Sequence, residues 1–148
     1  MDAIEGVWSL IDSRAWNEST NRLSVPYASD PIGQLVFSRR RMLMSIWHGD
    51  GALGTHREPG FICYGGRYSF DGSSLECEVA VASDPCWIGG QQVRSIVMLG
   101  DAEMLWRLPA RVYGTQLTRR ELIWGRVCRA EVFAAGSRTC PGPHSRLF

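Results

Sequence analysis

From Gly6 to Arg129 the apolar residues tend to fall at every second position, in short runs cut by Gly, Pro, Asn and Asp. No window sustains an apolar repeat of 3.6 residues, so the chain offers no helix with a buried stripe. Alternating runs bury one face of a strand, and strands spaced roughly 8–12 residues apart with turns between them are the pattern of an antiparallel barrel or sandwich. About eight or nine such strands close into an up-and-down barrel whose interior can hold one small ligand. The expected fold is therefore all-β: a single antiparallel up-and-down β-barrel over residues 1–134 with an internal cavity. Residues 135–148, rich in Gly, Ser, Arg and Pro, are expected to form a flexible C-terminal tail.

The hairpin that spans Tyr64 to Ala82 is the sharpest local signal. Asp71-Gly72 between two alternating runs predicts a type I′ turn, whose central residues both need positive φ. In the second strand Glu76, Glu78, Ala80 and Ala82 share one face, and Leu75, Cys77, Val79 and Val81 share the other. Two arrangements follow. Either the carboxylates face water while the apolar set fills the core, or they face a cavity in which the two alanines leave room for a ligand.

Other runs complete the sheet. Gly6 to Trp16 reads as the first strand, Ile32 to Ser38 as the second, and Met42, Met44, Ile46 and His48 as one face of the third. Asn17 to Asp30 and Gly49 to Gly60 read as loops, and Arg39-Arg40-Arg41 as a solvated basic turn. Gln91 to Leu99, Glu103 to Leu108 and Glu121 to Arg129 are the later strands, with Ala110 to Thr118 as a loop or short strand.

Composition removes several function classes. A chain of 148 residues is most simply one domain, and a net charge of +1 with no clustered basic-aromatic surface argues against nucleic acid. All 16 basic residues are Arg, so lysine Schiff-base chemistry is excluded. No apolar run approaches the roughly 18–20 residues that span a bilayer, and no secretory signal opens the chain, so the expected setting is cytoplasmic with no membrane partner. Five cysteines without CxxC spacing predict reduced thiols, and three histidines at no ligand-like spacing predict no metal. Neither a phosphate-binding loop nor a G-x-S-x-G elbow is present, and no cofactor is expected.

Several side chains are candidates for chemistry. If Glu76 and Glu78 face inward, burial and mutual repulsion raise their pKa values and fit one of them for general acid–base work. Tyr64 and Tyr68 share a face with Ile62 and Gly66 on the paired strand. A buried phenol there either donates to a developing oxyanion or simply packs with its hydroxyl at the rim. Arg67 and Arg94 stand among apolar residues and need an anionic partner, either Glu76 or Glu78 or a substrate carboxylate or enolate. His48 is a candidate base at a barrel mouth. Trp47, Trp87, Trp106 and Trp124 could wall a flat aromatic pocket, with Met44 beside them and Tyr113 near the mouth.

Ordered motifs add a resemblance. Gly6-Val-Trp8 is similar to the G-x-W of the lipocalin first strand, with Arg126 or Arg129 placed to lie over the indole of Trp8. Pro26-Tyr27, Asp30-Pro-Ile-Gly-Gln-Leu-Val-Phe37, Gly66-Arg-Tyr-Ser-Phe-Asp-Gly72, Ser83-Asp-Pro-Cys-Trp-Ile-Gly89, Gln92-Val-Arg94 and Leu122-Ile-Trp-Gly-Arg-Val127 resemble the lipocalin-like domain family, over about residues 5–128. The resemblance implies a small barrel with a cavity. Some similar fungal proteins are cofactor-free isomerases or cyclases of natural-product pathways. Members often carry histidine near the positions of Cys77 and Glu78, which this chain lacks. On this basis the expected activity is a cofactor-independent isomerase, cyclase or lyase acting on a small hydrophobic metabolite, aromatic or polycyclic. Glu78, Tyr64 and Arg94 would be catalytic, and Glu76, Arg67, Tyr68, Met44, His48, Trp106, Tyr113 and Trp124 would bind the ligand. The alternatives are a carrier for the same kind of ligand and a barrel that serves as an interaction scaffold. A homodimer is the assembly considered.

Overall fold

In the computed structural model, which describes residues 3–24, 32–47, 61–113 and 115–129, every regular element is a strand apart from one short 3-10 turn. The strands are β1 (Gly6–Asn17), β2 (Arg22–Ser24), β3 (Ile32–Ser38), β4 (Arg41–Trp47), β5 (Phe61–Phe70), β6 (Ser74–Ala82), β7 (Gln91–Met98), β8 (Glu103–Arg107), β9 (Arg111–Tyr113) and β10 (Gln116–Arg129). All pairings are antiparallel, and the sheet closes because β1 also pairs with β10, from Gly6↔Arg129 to Asn17↔Thr118. β2 and β9 each pair on one side only, with β1 and β10. The other eight strands form a closed up-and-down barrel with no free edge. Among the described residues no helix is long and apolar enough to cross a membrane.

Period-two alternation decides which side chains enter the barrel. Trp8 and Leu10 of β1, Leu35 and Phe37 of β3, Met42, Met44 and Ile46 of β4, and Leu122 and Trp124 of β10 are all buried. Each contributes roughly 1.5–3 kcal/mol of apolar burial. One end of the barrel is plugged by Trp8, whose Nε1 donates to the Ile4 carbonyl at 2.8 Å. The Arg126 guanidinium lies 4.2 Å from the Trp8 ring centroid and donates to the carbonyls of Ala3, Glu5 and Asp101 at 2.6, 2.8 and 2.8 Å. Arg126 therefore fills the place over the indole. Arg129 instead meets the exposed Asp101 at 3.5 Å.

Four local expectations are corrected. The turn at 71–74 is not type I′. Gly72 has φ +104° but Asp71 is not left-handed; its carboxylate instead accepts the N–H groups of Ser73 and Ser74 at 2.9 and 2.7 Å. The turn with positive φ at both central residues joins β3 to β4 through Arg39 (φ 49°) and Arg40 (φ 63°). Closing a two-residue connection between paired Ser38 and Arg41 forces that geometry on residues that do not favour it.

In β6 the pairing jumps from Gly66↔Val79 to Gly65↔Val81, so Ala80 is an extra, bulged residue. The bulge shifts the phase: Val81 is 54% exposed and Ala82 turns to the core. A Cβ on Gly66 would overlap the Glu78 carbonyl oxygen, and this close approach is what lets the bulge form.

The last strand begins at Gln116 rather than Glu121, and β2 and β9 occupy segments expected mainly as loops. Finally, Cys63, Cys77 and Cys86 are free thiols but Cys128 is disulfide-bonded, so the expectation of thiols throughout fails there.

Candidate functional site

The two halves of the interior are filled differently. Toward the Trp8 end, Phe37 packs edge-on against Tyr68 with centroids 4.9 Å apart, and tilted against Trp106 at 6.4 Å. Trp124 backs Trp106 at 5.5 Å. Toward the opposite end, where β4 and β6 finish and β5 and β7 begin, a cavity of about 580 Å³ opens. Its walls are Met44 and Ile46 from β4, Ile62 from β5, Trp106 from β8, Leu122 from β10, and Trp87 and Leu108 from the connections. That volume lies within the range of small-molecule sites.

Trp87 reaches the mouth because of the turn that carries it. Asp84 caps the 3-10 turn Pro85–Trp87 by accepting the Cys86 N–H at 2.9 Å, and the pre-set φ of Pro85 starts the turn. The indole then stands perpendicular to Tyr64, with centroids 6.3 Å apart.

Polar groups in the lining are few: Tyr64, Gln92, Arg94 and Arg120, with Ser83 and Asp84 at the rim. Tyr64 is 1% exposed, and its hydroxyl proton meets no acceptor among the described residues; the Arg94 guanidinium beside it can only donate. Burial pushes its phenol up to about 12, and the Arg94 charge beside it pulls only part of the way back. The hydroxyl is thus a neutral donor throughout the physiological range.

On β7, Gln92, Arg94, Ile96 and Met98 turn inward while Gln91, Val93, Ser95 and Val97 are exposed. The Arg94 Cζ lies 5.9 Å from the Tyr64 ring centroid. Nη1 donates to the Val93 carbonyl at 2.7 Å and Nη2 to Gln92 Oε1 at 2.8 Å, which fixes the guanidinium plane. Among the described residues no carboxylate pairs with it. Cys77 is buried nearby and burial drives its thiol up to about 11, against the pull of Arg94, so it is a poor nucleophile.

The structure thus brings together Tyr64, Arg94, Met44 and Trp106 of the expected site residues. Glu76 and Glu78 are exposed on the outer face, which corrects the inward reading of the pair. Leu75, Cys77 and Val79 take the interior instead, because burying apolar groups is favourable and burying two unpaired carboxylates is costly. Arg67 is likewise exposed, opposite Glu78 in the register, so neither glutamate meets Arg94 in the interior. Tyr68 belongs to the packed half, Trp124 supports Trp106 from behind, and Trp47 is 46% exposed on the outside. His48 and the Tyr113 side chain lie outside what the structure describes.

Sequence reasoning missed Asp84, Gln92, Leu108 and Arg120. The Ser83-Asp84-Pro85 run carries a cap signature that places Trp87, and Gln92 shares the parity of Arg94.

Among protein families, the one described as the lipocalin-like domain matches residues 5–127. Comparison with curated proteins gives no match.

Proposed function

Because the chain belongs to the lipocalin-like domain family, we propose that its barrel binds one small, largely apolar molecule, aromatic or polycyclic, in the open end. The observation that carries this reading is the 580 Å³ cavity whose apolar and indole walls are joined by Tyr64, Gln92, Arg94, Arg120, Ser83 and Asp84. Trp106, Trp87, Leu122 and Met44 supply area to be removed from water on binding, and Tyr64 and Arg94 orient the ligand. The test is titration with the neutral fluorescent probe N-phenyl-1-naphthylamine, read by energy transfer from tryptophan. Saturable one-to-one binding is expected in the wild type, and a loss of tenfold or more in Ile62→Trp, which fills the cavity from its half-buried mouth. Non-saturable uptake, or equal binding by the filled variant, overturns the reading.

A second reading, cofactor-free isomerase or cyclase chemistry, rests on the Tyr64 hydroxyl, whose proton has no acceptor among the described residues, beside the Arg94 cation. A phenol held protonated next to a fixed guanidinium is suited to steady a developing enolate oxygen in this cavity. In this reading Tyr64 and Arg94 do the work and Glu78 does none. Incubating ligand recovered from the native host with wild type and Tyr64→Phe decides it. A mass-neutral product formed by the wild type and slowed at least about a hundredfold in the variant supports catalysis; unchanged ligand in both leaves binding alone.

A further inference from the structure

We infer that the ligand of this pocket carries a carboxylate, seated between the Arg94 guanidinium and the Tyr64 hydroxyl, with its apolar body along Trp106 and Leu122. This rests on the pocket being a ligand site and specifies what enters it.

Three observations converge. First, Arg94 is a half-buried cation with no carboxylate partner among the described residues, although two of its donors are anchored to Val93 and Gln92. A guanidinium has five N–H donors, so three are left for the Tyr64 hydroxyl and the cavity. Anchoring leaves little orientation to be lost on binding. Second, the Tyr64 hydroxyl is buried in the cavity wall beside Arg94, which can only donate to it, and its own proton finds no acceptor among the described residues; a buried donor left unmet is costly until something accepts from it. Third, Asp84, the carboxylate of the lining, is engaged by the Cys86 N–H at 2.9 Å and makes no ion pair with Arg94, so the lining itself does not compensate the Arg94 charge.

A carboxylate answers all three. It is acceptor-only, with about four lone-pair sites, and takes a paired contact from Arg together with a third hydrogen bond from a hydroxyl. A neutral alcohol or ketone would accept from Tyr64 but leave the cation uncompensated. A cationic ligand would add repulsion.

The test compares 1-pyrenebutyrate with 1-pyrenebutanol, which share the same apolar body and differ in the head group. Titrations followed by tryptophan-to-pyrene energy transfer use the wild type, Arg94→Met and Tyr64→Phe, with folding checked by circular dichroism. The wild type is expected to prefer the butyrate by tenfold or more. Arg94→Met should lose that preference, the butyrate weakening by tenfold or more relative to 1-pyrenebutanol. Tyr64→Phe should weaken the butyrate about three- to tenfold more than the alcohol. Equal affinity of the two probes in the wild type, or a butyrate preference that survives in Arg94→Met, overturns the carboxylate assignment and leaves the ligand-binding reading standing. Failure of both probes to bind the wild type overturns both.

Discussion

Replacing Tyr64 by Phe removes one oxygen from the most deeply buried polar position of the pocket, and its consequence is clearest at alkaline pH. Folding raises the phenol from 10.0 to about 12. The folded state therefore holds this proton more tightly than the unfolded chain does. Below pH 10 both states are protonated and the stability is intact. As the pH climbs from 10 to about 12 the unfolded chain ionises first, and stability drains away. At about 1.4 kcal/mol for each tenfold change, that gap is worth about 2–3 kcal/mol. Cys77, raised from 9.0 to about 11, causes a similar loss over a lower window, but it does so in wild type and variant alike. The chain has no lysine, so no ammonium side chain titrates across that range. The quantity to measure is the difference in unfolding free energy between wild type and Tyr64→Phe, by urea denaturation at pH 9, 10, 11 and 11.5. It should move against the wild type by about 2 kcal/mol over the series, while phenolate absorbance at 295 nm shows a late-titrating component that Tyr64→Phe removes. A difference that stays flat with pH would mean the phenol is not desolvated. The case for a poised donor beside Arg94 would fall with it.

Three further outcomes follow from named contacts. Arg39→Asn combined with Arg40→Gly should stabilise the protein by about 1–2 kcal/mol, because left-handed backbone is unfavourable for a side-chain-bearing residue; denaturant midpoints that fall instead would show the two arginines making contacts that matter. Gly66→Ala should destabilise by about 2 kcal/mol or more, since its Cβ overlaps the Glu78 carbonyl at the bulge, and a melting temperature unchanged within a degree would refute that tight approach. Glu78→Gln should leave stability within about 0.5 kcal/mol and pyrenebutyrate affinity within twofold, whereas a tenfold loss of affinity would return this glutamate to the site.

Much of the barrel could be read because alternation is a two-state code. On β1, β3, β4 and β10 the apolar set is unambiguous, and Trp8, Leu35, Met44 and Trp124 fall where period two places them. β6 is where the code fails. Both of its faces carry residues that a barrel can bury, and only the energetics of the alternatives separates them: Leu75, Cys77 and Val79 gain from burial, while the glutamates would need partners that the interior does not provide. The bulge then exchanges the parity of Val81 and Ala82, and nothing in β6 itself announces it. The signal lies across the sheet in Gly65-Gly66, where the missing side chains admit the displaced backbone. The turns failed for a related reason. Asp71-Gly72 has the residues a type I′ turn prefers, but it was Ser38↔Arg41 pairing that imposed one, on two arginines. Closure of the sheet outranks local preference there.

The site was legible in part for the same reason. Tyr64 shares the face of Ile62 and Tyr68, and Arg94, like Arg67, stands among apolar residues; those signals marked both arginines alike, and the structure buries Tyr64, half-buries Arg94 and leaves Arg67 exposed. What parity could not supply was the partner. In sequence the nearest anions to Arg94 in the paired strand are Glu76 and Glu78, and β7 does lie against β6, with Glu76↔Val93 and Leu75↔Arg94 in register. Yet the register sets Arg94 opposite a residue of the buried face, so its side chain enters the barrel while both glutamates leave it. A one-residue offset thus separates the cation from the charges that would have neutralised it. The same offset leaves Arg94 beside Tyr64 with no carboxylate partner among the described residues, which is what the proposed carboxylate seat requires. The chemistry of this pocket is set less by which residues the chain contains than by the register that keeps two of them apart.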